Sequence, residues 1–99
     1  MLINKQDITT LILAGGKSSR MGGNDKGLIQ INDDYIMSEL IELSKIFTNS
    51  VILNINRNKD IYEKFKIKLI SDLHVNFQGP LAGIYSGMTE AKTKYILVL

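Results

Sequence analysis

Six residues, Ile8-Thr9-Thr10-Leu11-Ile12-Leu13, run without a charge into a stretch that holds Gly15, Gly16, Gly22, Gly23 and Gly27. A short, β-branched and continuously apolar segment reads as a strand buried on both faces, and such strands belong to parallel sheets covered by helices. The glycines after it predict a loop over residues 14–27. No other feature constrains the fold class as tightly.

The remaining segments repeat the alternation. Residues 28–31 read as a short extended piece. Over residues 34–48, Ile36, Leu40, Leu43 and Phe47 recur at spacings of four, three and four, the pattern of one helix face. Asn32, Asp33 and Asp34 offer capping oxygens at its start, and Lys45 suits the negative end of the helix dipole. Residues 51–55 form a second buried strand, 60–65 a short helix and 67–70 a third strand. Pro80 suits a first helical turn, and Leu81, Ile84, Tyr85 and Met88 supply an apolar stripe that assigns Tyr85 and Met88 to the core. Residues 95–99 make a fourth strand.

The expected fold is therefore α/β, a Rossmann-like parallel sheet flanked by helices. Ligands of such sheets sit beyond the carboxyl ends of the strands, here Leu13-Ala14-Gly15, Asn54-Ile55-Asn56 and Ser71-Asp72. No repeat or linker divides the 99 residues, which read as one unit. Because the sequence stops on an apolar strand, the unit is expected to be the N-terminal portion of an incomplete domain.

Composition excludes several functions. Twelve basic against ten acidic side chains leave a net charge of +2, too small for a sequence-independent nucleic-acid binder. The absence of cysteine removes disulfides, thiolate nucleophiles and cysteine metal sites, and one histidine, His74, excludes a multi-histidine cluster. No apolar run approaches the roughly 20 residues that span a bilayer, and Asp7 stands where a signal peptide would be apolar. A cytoplasmic protein without membrane or nucleic-acid partners is expected.

The net charge is concentrated in the loop, where Lys17, Arg20 and Lys26 outweigh Asp25. Glycines after a strand let backbone N–H groups converge on an anion, and the excess of positive charge suits a triphosphate or pyrophosphate. Neither standard phosphate motif fits. A Gly-x-x-x-x-Gly-Lys-Ser loop needs glycine at position 11, which is Leu11, and Gly-x-Gly-x-x-Gly fails at Lys17. Spacing alone leaves open a solvated surface loop whose glycines only make turns.

The stretch Leu13-Ala14-Gly15-Gly16-Lys17-Ser18-Ser19-Arg20-Met21-Gly22-Gly23-Asn24-Asp25-Lys26-Gly27 resembles the signature loop of the sugar-nucleotidyltransferase-like superfamily. Its Arg-Met-Gly followed by Asp-Lys-Gly is particularly similar to the molybdenum cofactor guanylyltransferases. Further matches follow in order: Asn54 with Asn56-Arg57, then Ser71-Asp72, then Gly79-Pro80-Leu81-Ala82-Gly83. The resemblance implies transfer of GMP from GTP to molybdopterin-bound molybdenum cofactor, with magnesium and release of pyrophosphate. It implies that Leu13, Ala14, Gly15, Gly16, Lys26, Asn54, Asp72, Gly79, Pro80 and Leu81 bind the nucleotide. Arg20 and Lys26 would act catalytically, neutralising charge on the α-phosphate and the leaving group. The family's magnesium aspartate would lie beyond Leu99, so the resemblance assigns no metal ligand here, and it allows transient contacts with cofactor-biosynthesis or acceptor proteins. Asn32-Asp33-Asp34-Tyr35 departs from the family's usual Gly-Lys-Pro-like turn. The alternatives are a nucleotidyltransferase using another triphosphate, such as CTP, on a sugar or alcohol phosphate, and a non-catalytic nucleotide-binding fragment.

Single residues carry different weight. His74 reads as a solvent-exposed loop side chain, Asp25 as an ion-pair partner of Lys26, and Lys64, Lys66 and Lys68 as a solvated face. Asn54 stands inside an apolar strand, where an amide needs a hydrogen-bond partner, and a nucleotide hydroxyl is one candidate.

Overall fold

A computed structural model of the chain describes residues 4–14, 26–71 and 80–99. A 3-10 turn at Lys5–Asp7 leads into strand β1 (Ile8–Leu13). After a second 3-10 turn at Lys26–Leu28 come β2 (Gln30–Ile31), β3 (Asp34–Tyr35) and helix α1 (Ile36–Phe47). Strand β4 (Ser50–Asn54), helix α2 (Lys59–Tyr62) with a 3-10 turn at Glu63–Phe65, β5 (Lys68–Ile70), helix α3 (Pro80–Glu90) and β6 (Tyr95–Val98) complete it. The main sheet has the order β5-β4-β1-β6 and every pairing in it is parallel. The expected α/β class is borne out.

Strands β1 and β4 lie inside the sheet, and their register, Leu11 opposite Ile52 and Leu13 opposite Asn54, aligns their carboxyl ends. On one face Ile12, Ala14, Leu53 and Ile55 pack with Met37 and Ile41 of α1 and Tyr62 of α2. The alternate residues Leu11, Leu13 and Asn54 meet α3 on the other face, at Gly83 and Gly87. The chain steps outward from β1 to β4 and β5, then returns past β1 to place β6 on its other side. That reversal opens a crevice at the carboxyl ends, where ligands of such sheets bind. Among the described residues no helix is long and apolar enough to cross a membrane.

Helices α1 and α3 are turned relative to the expected stripes. In α1 the buried residues are Met37, Ile41 and Ser44, with Thr48 continuing the line. Leu40 is half-buried against the core, whereas Ile36, Leu43 and Phe47 are exposed. Two stripes one residue apart satisfy the same spacing, and the sheet takes the one whose polar members can bond locally. Ser44 Oγ donates to the Leu40 carbonyl at 2.8 Å and Thr48 Oγ1 to the Ser44 carbonyl at 3.2 Å. In α3 the sheet side holds Ala82, Gly83, Ser86 and Gly87, while Tyr85 and Met88 are exposed, so their expected place in the core is corrected. Small residues let the helix approach the strands closely; a Cβ at Gly87 would collide with the fully buried Leu11.

The expected start of α1 is also corrected. Asn32 and Asp33 do not cap it; both have positive φ, 52° and 67°, and form the two-residue turn between antiparallel β2 and β3. Asn and Asp tolerate this left-handed geometry, which two-residue hairpins of type I′ require. Asp34 belongs to β3, and Tyr35 occupies the cap position with no side-chain cap bond.

Candidate functional site

The carboxyl ends of β1 and β4 are joined beyond their regular ladder. Ala14 N–H donates to the Asn54 carbonyl at 2.9 Å, Ile55 N–H to the Ile70 carbonyl at 2.8 Å and Leu13 N–H to the Leu99 carbonyl at 3.0 Å. Backbone pairing thus holds Leu13, Ala14 and Asn54 in one rigid rim, and apolar packing fixes it from below. Ala14 is buried and Leu13 half-buried, so the last two residues before the glycine-rich stretch are anchored.

Asn54 is the polar member of this rim. Its side chain lies on the α3 face, 3% exposed, with Oδ1 turned to Gly83. Nδ2 is buried and has no hydrogen-bond partner among the described residues. An unpaired buried donor costs about 1–3 kcal/mol, a cost that packing does not require, since an apolar side chain would fill the same place. A ligand acceptor that meets the donor recovers it. Among the described residues no protein group meets the Nδ2 donor of Asn54.

Of the other candidates, Lys26 opens the 3-10 turn after the glycine-rich stretch. Pro80 and Leu81 open α3, as expected of a proline in a first turn. Gly15, Gly16, Arg20, Asp72 and Gly79 lie outside the described residues, as do Asp25 and His74. Asn56 and Arg57 form the bend after β4, followed by Asn58 with φ 59°. Gly83 ends the Gly79-Pro80-Leu81-Ala82-Gly83 stretch expected to shape the base side of the cleft, and a Cβ on it would meet the side chains of both Leu13 and Asn54. The signal for it is the row of small residues Ala82, Gly83, Ser86 and Gly87, which marks the helix side that lies against the strands.

Among the described residues no group of three His, Asp or Glu side chains is placed to hold a metal ion. The described rim offers backbone and amide groups, which suit a nucleotide's hydroxyls and base edges; it is not a carboxylate cage for magnesium.

Residues 10–99 match the family described as MobA-like NTP transferase domain. A molybdenum cofactor guanylyltransferase of Yersinia pestis (strain Pestoides F) is 43% identical over 91 residues, covering 92% of this chain and 47% of that protein. The protein of the same name from Yersinia pseudotuberculosis serotype O:1b (strain IP 31758) is likewise 43% identical over the same length. The chain spans about half the length of the curated relatives it matches.

Proposed function

The chain belongs to the MobA-like NTP transferase domain family, and from that membership we propose that it supplies the nucleotide-binding portion of a molybdenum cofactor guanylyltransferase. The reaction is transfer of GMP from GTP to the terminal phosphate of molybdopterin-bound molybdenum cofactor. An acceptor phosphate oxygen attacks the α-phosphorus, a new P–O–P bridge forms, the α–β anhydride breaks and pyrophosphate leaves with the electron pair. No protein nucleophile is needed.

The unpaired Asn54 Nδ2 at the carboxyl end of β4 is the observation that supports this reading most directly. In the proposal it donates to the guanosine, beside the backbone of Leu13, Ala14, Gly15 and Gly16. Asp72, Gly79, Pro80 and Leu81 complete the nucleoside side. Arg20 and Lys26 neutralise the charge that builds on the α-phosphate and the pyrophosphate. Magnesium bound with the triphosphate would shield its charge; among the described residues no cluster of acidic side chains is placed to hold it. The setting proposed is the cytoplasm, with transient contacts to cofactor-biosynthesis or acceptor proteins.

Thermal stabilisation by GTP, CTP, ATP and UTP, each with and without magnesium, tests the reading. GTP at 100 times its dissociation constant should add about 2.7 kcal/mol. Stronger stabilisation by CTP would replace the guanylyl assignment with a cytidylyl one, and none by any nucleotide would remove the reading. Release of pyrophosphate in the presence of the acceptor distinguishes transfer from binding alone.

A further inference from the structure

The structure assigns Gly83 as a positioning residue that sets the orientation of the Asn54 carboxamide and so decides where the unpaired Nδ2 donor points. Its role presupposes the nucleotide reading of Asn54. A Cβ at Gly83 would stand 2.9 Å from Leu13 Cδ2, 3.1 Å from Asn54 Oδ1 and 3.3 Å from Asn54 Cγ. The two neighbours differ in how they can yield. The Leu13 methyl ends a flexible, half-buried side chain and can swing aside. The Asn54 carboxamide is a planar group on a residue 3% exposed, and it can move only by turning about its own torsions. With Oδ1 on the branch of the carboxamide that a Gly83 Cβ would meet, Nδ2 occupies the other branch of the plane. A methyl on Gly83 pushes on Oδ1 and turns that branch, so the donor leaves its direction while the backbone rim stays paired.

Close packing of α3 on the sheet uses both glycines, but at Gly83 one of the neighbours that an added Cβ would meet is a polar carboxamide. At Gly87, one turn on, the three nearest neighbours of an added Cβ are all apolar atoms of Leu11. Of Gly83 and Gly87 of α3, only Gly83 has among the nearest neighbours of an added Cβ a side chain with an unsatisfied donor.

A double-mutant cycle on the 99-residue chain tests the assignment, with GTP and magnesium as the probe. Gly83→Ala is expected to weaken GTP binding about tenfold, to shift the Asn54 side-chain 15N–1H2 resonances, and to move the melting temperature by only a few degrees. Asn54→Ala should weaken binding by a similar factor. Because Gly83 acts through Asn54, the double variant should bind no more than about twofold worse than Asn54→Ala alone. Should Gly83→Ala not fold, Leu13→Ala/Gly83→Ala makes room on the leucine side and keeps the methyl against Asn54. Multiplicative losses in the double variant, or unchanged binding in Gly83→Ala while Asn54→Ala binds weakly, overturn the role of Gly83 and leave the nucleotide reading standing. Unchanged binding in Asn54→Ala overturns both.

Discussion

At the scale of single residues, two buried polar groups show how differently such groups are treated. The Thr10 and Thr48 hydroxyls lie 3.0 Å apart inside the protein, and Thr48 Oγ1 also reaches the Ser44 and Ser50 carbonyls, each at 3.2 Å. Thr48 has one hydroxyl proton; when it goes to a carbonyl, Thr10 becomes the donor between the two hydroxyls. Thr48→Val therefore strands the Thr10 hydroxyl and should cost about 1–3 kcal/mol, whereas Thr10→Val leaves Thr48 bonded and should cost about 1 kcal/mol or less. Urea unfolding of both variants measures the difference, and equal costs would contradict the donor order. Asn54 is the contrasting case, since its Nδ2 has no partner to lose. Removing the amide with Asn54→Ala trades some packing for relief of about 1–3 kcal/mol of unpaired burial. The unliganded melting temperature should accordingly hold or rise even as GTP binding falls. Sequence alone pointed to Asn54 because an amide inside Val51-Ile52-Leu53-Asn54-Ile55 breaks an apolar run. Gly83 is legible as the end of the Gly79-Pro80-Leu81-Ala82-Gly83 stretch, but its approach to Asn54 lies across the fold.

At the scale of elements, strands were easier to read than helix faces, for a physical reason. A strand buried on both sides needs only an uncharged, largely apolar run, which residues 8–13 and 51–55 display whichever way they face. A helix must also be given a phase. In α1 the stripe Ile36, Leu40, Leu43 and Phe47 looks more apolar than Met37, Ile41, Ser44 and Thr48, yet the second faces the sheet. Two of its members are hydroxyl residues that satisfy themselves within the helix and its cap, so polarity in the sequence did not mean exposure. The same holds for α3, where glycine, alanine and serine buy proximity that larger residues would block. The energetic consequences follow directly. Ile41→Ala should cost about 2–5 kcal/mol, while Leu43→Ala, on the exposed face, should stay within about 0.5–1 kcal/mol. Met88→Lys should be near neutral, and Gly87→Ala should cost about 1–3 kcal/mol through its collision with Leu11. A chemical-denaturation series on these four variants checks the helix phases. A large loss at Leu43 or Met88 would restore the stripes expected from spacing.

At the scale of the whole molecule, alternation along the chain sufficed to give a parallel sheet, because each crossover must place a helix on one face. Strand order is a different matter, since nothing in residues 95–99 states that they return past β1 instead of extending beyond β5. The structure puts β6 at the end of the order β5-β4-β1-β6, where among the described residues it pairs only with β1. Its apolar side chains Tyr95, Leu97, Val98 and Leu99 are all exposed, as are Tyr85 and Met88 of α3. The ladder distinguishes the two sides of β6. Leu99 N–H donates to the Leu11 carbonyl at 2.9 Å and the Leu99 carbonyl accepts from Leu13 N–H at 3.0 Å, so Leu99, and Leu97 two residues before it, face β1. Ile96 and Val98 face outward, because successive residues of a strand turn their backbone groups to opposite edges. Hydrogen exchange should therefore show a period of two along β6. Ile96 and Val98 amides should exchange on the order of 100-fold faster than those of Leu97 and Leu99, and Leu11, Ile12 and Leu53 in the central strands should be slowest. Uniformly fast exchange along 95–99 would mean that β6 is not docked on β1. Uniformly slow exchange would mean that its outer edge is paired in solution, and a dependence of that protection on protein concentration would identify the pairing as intermolecular.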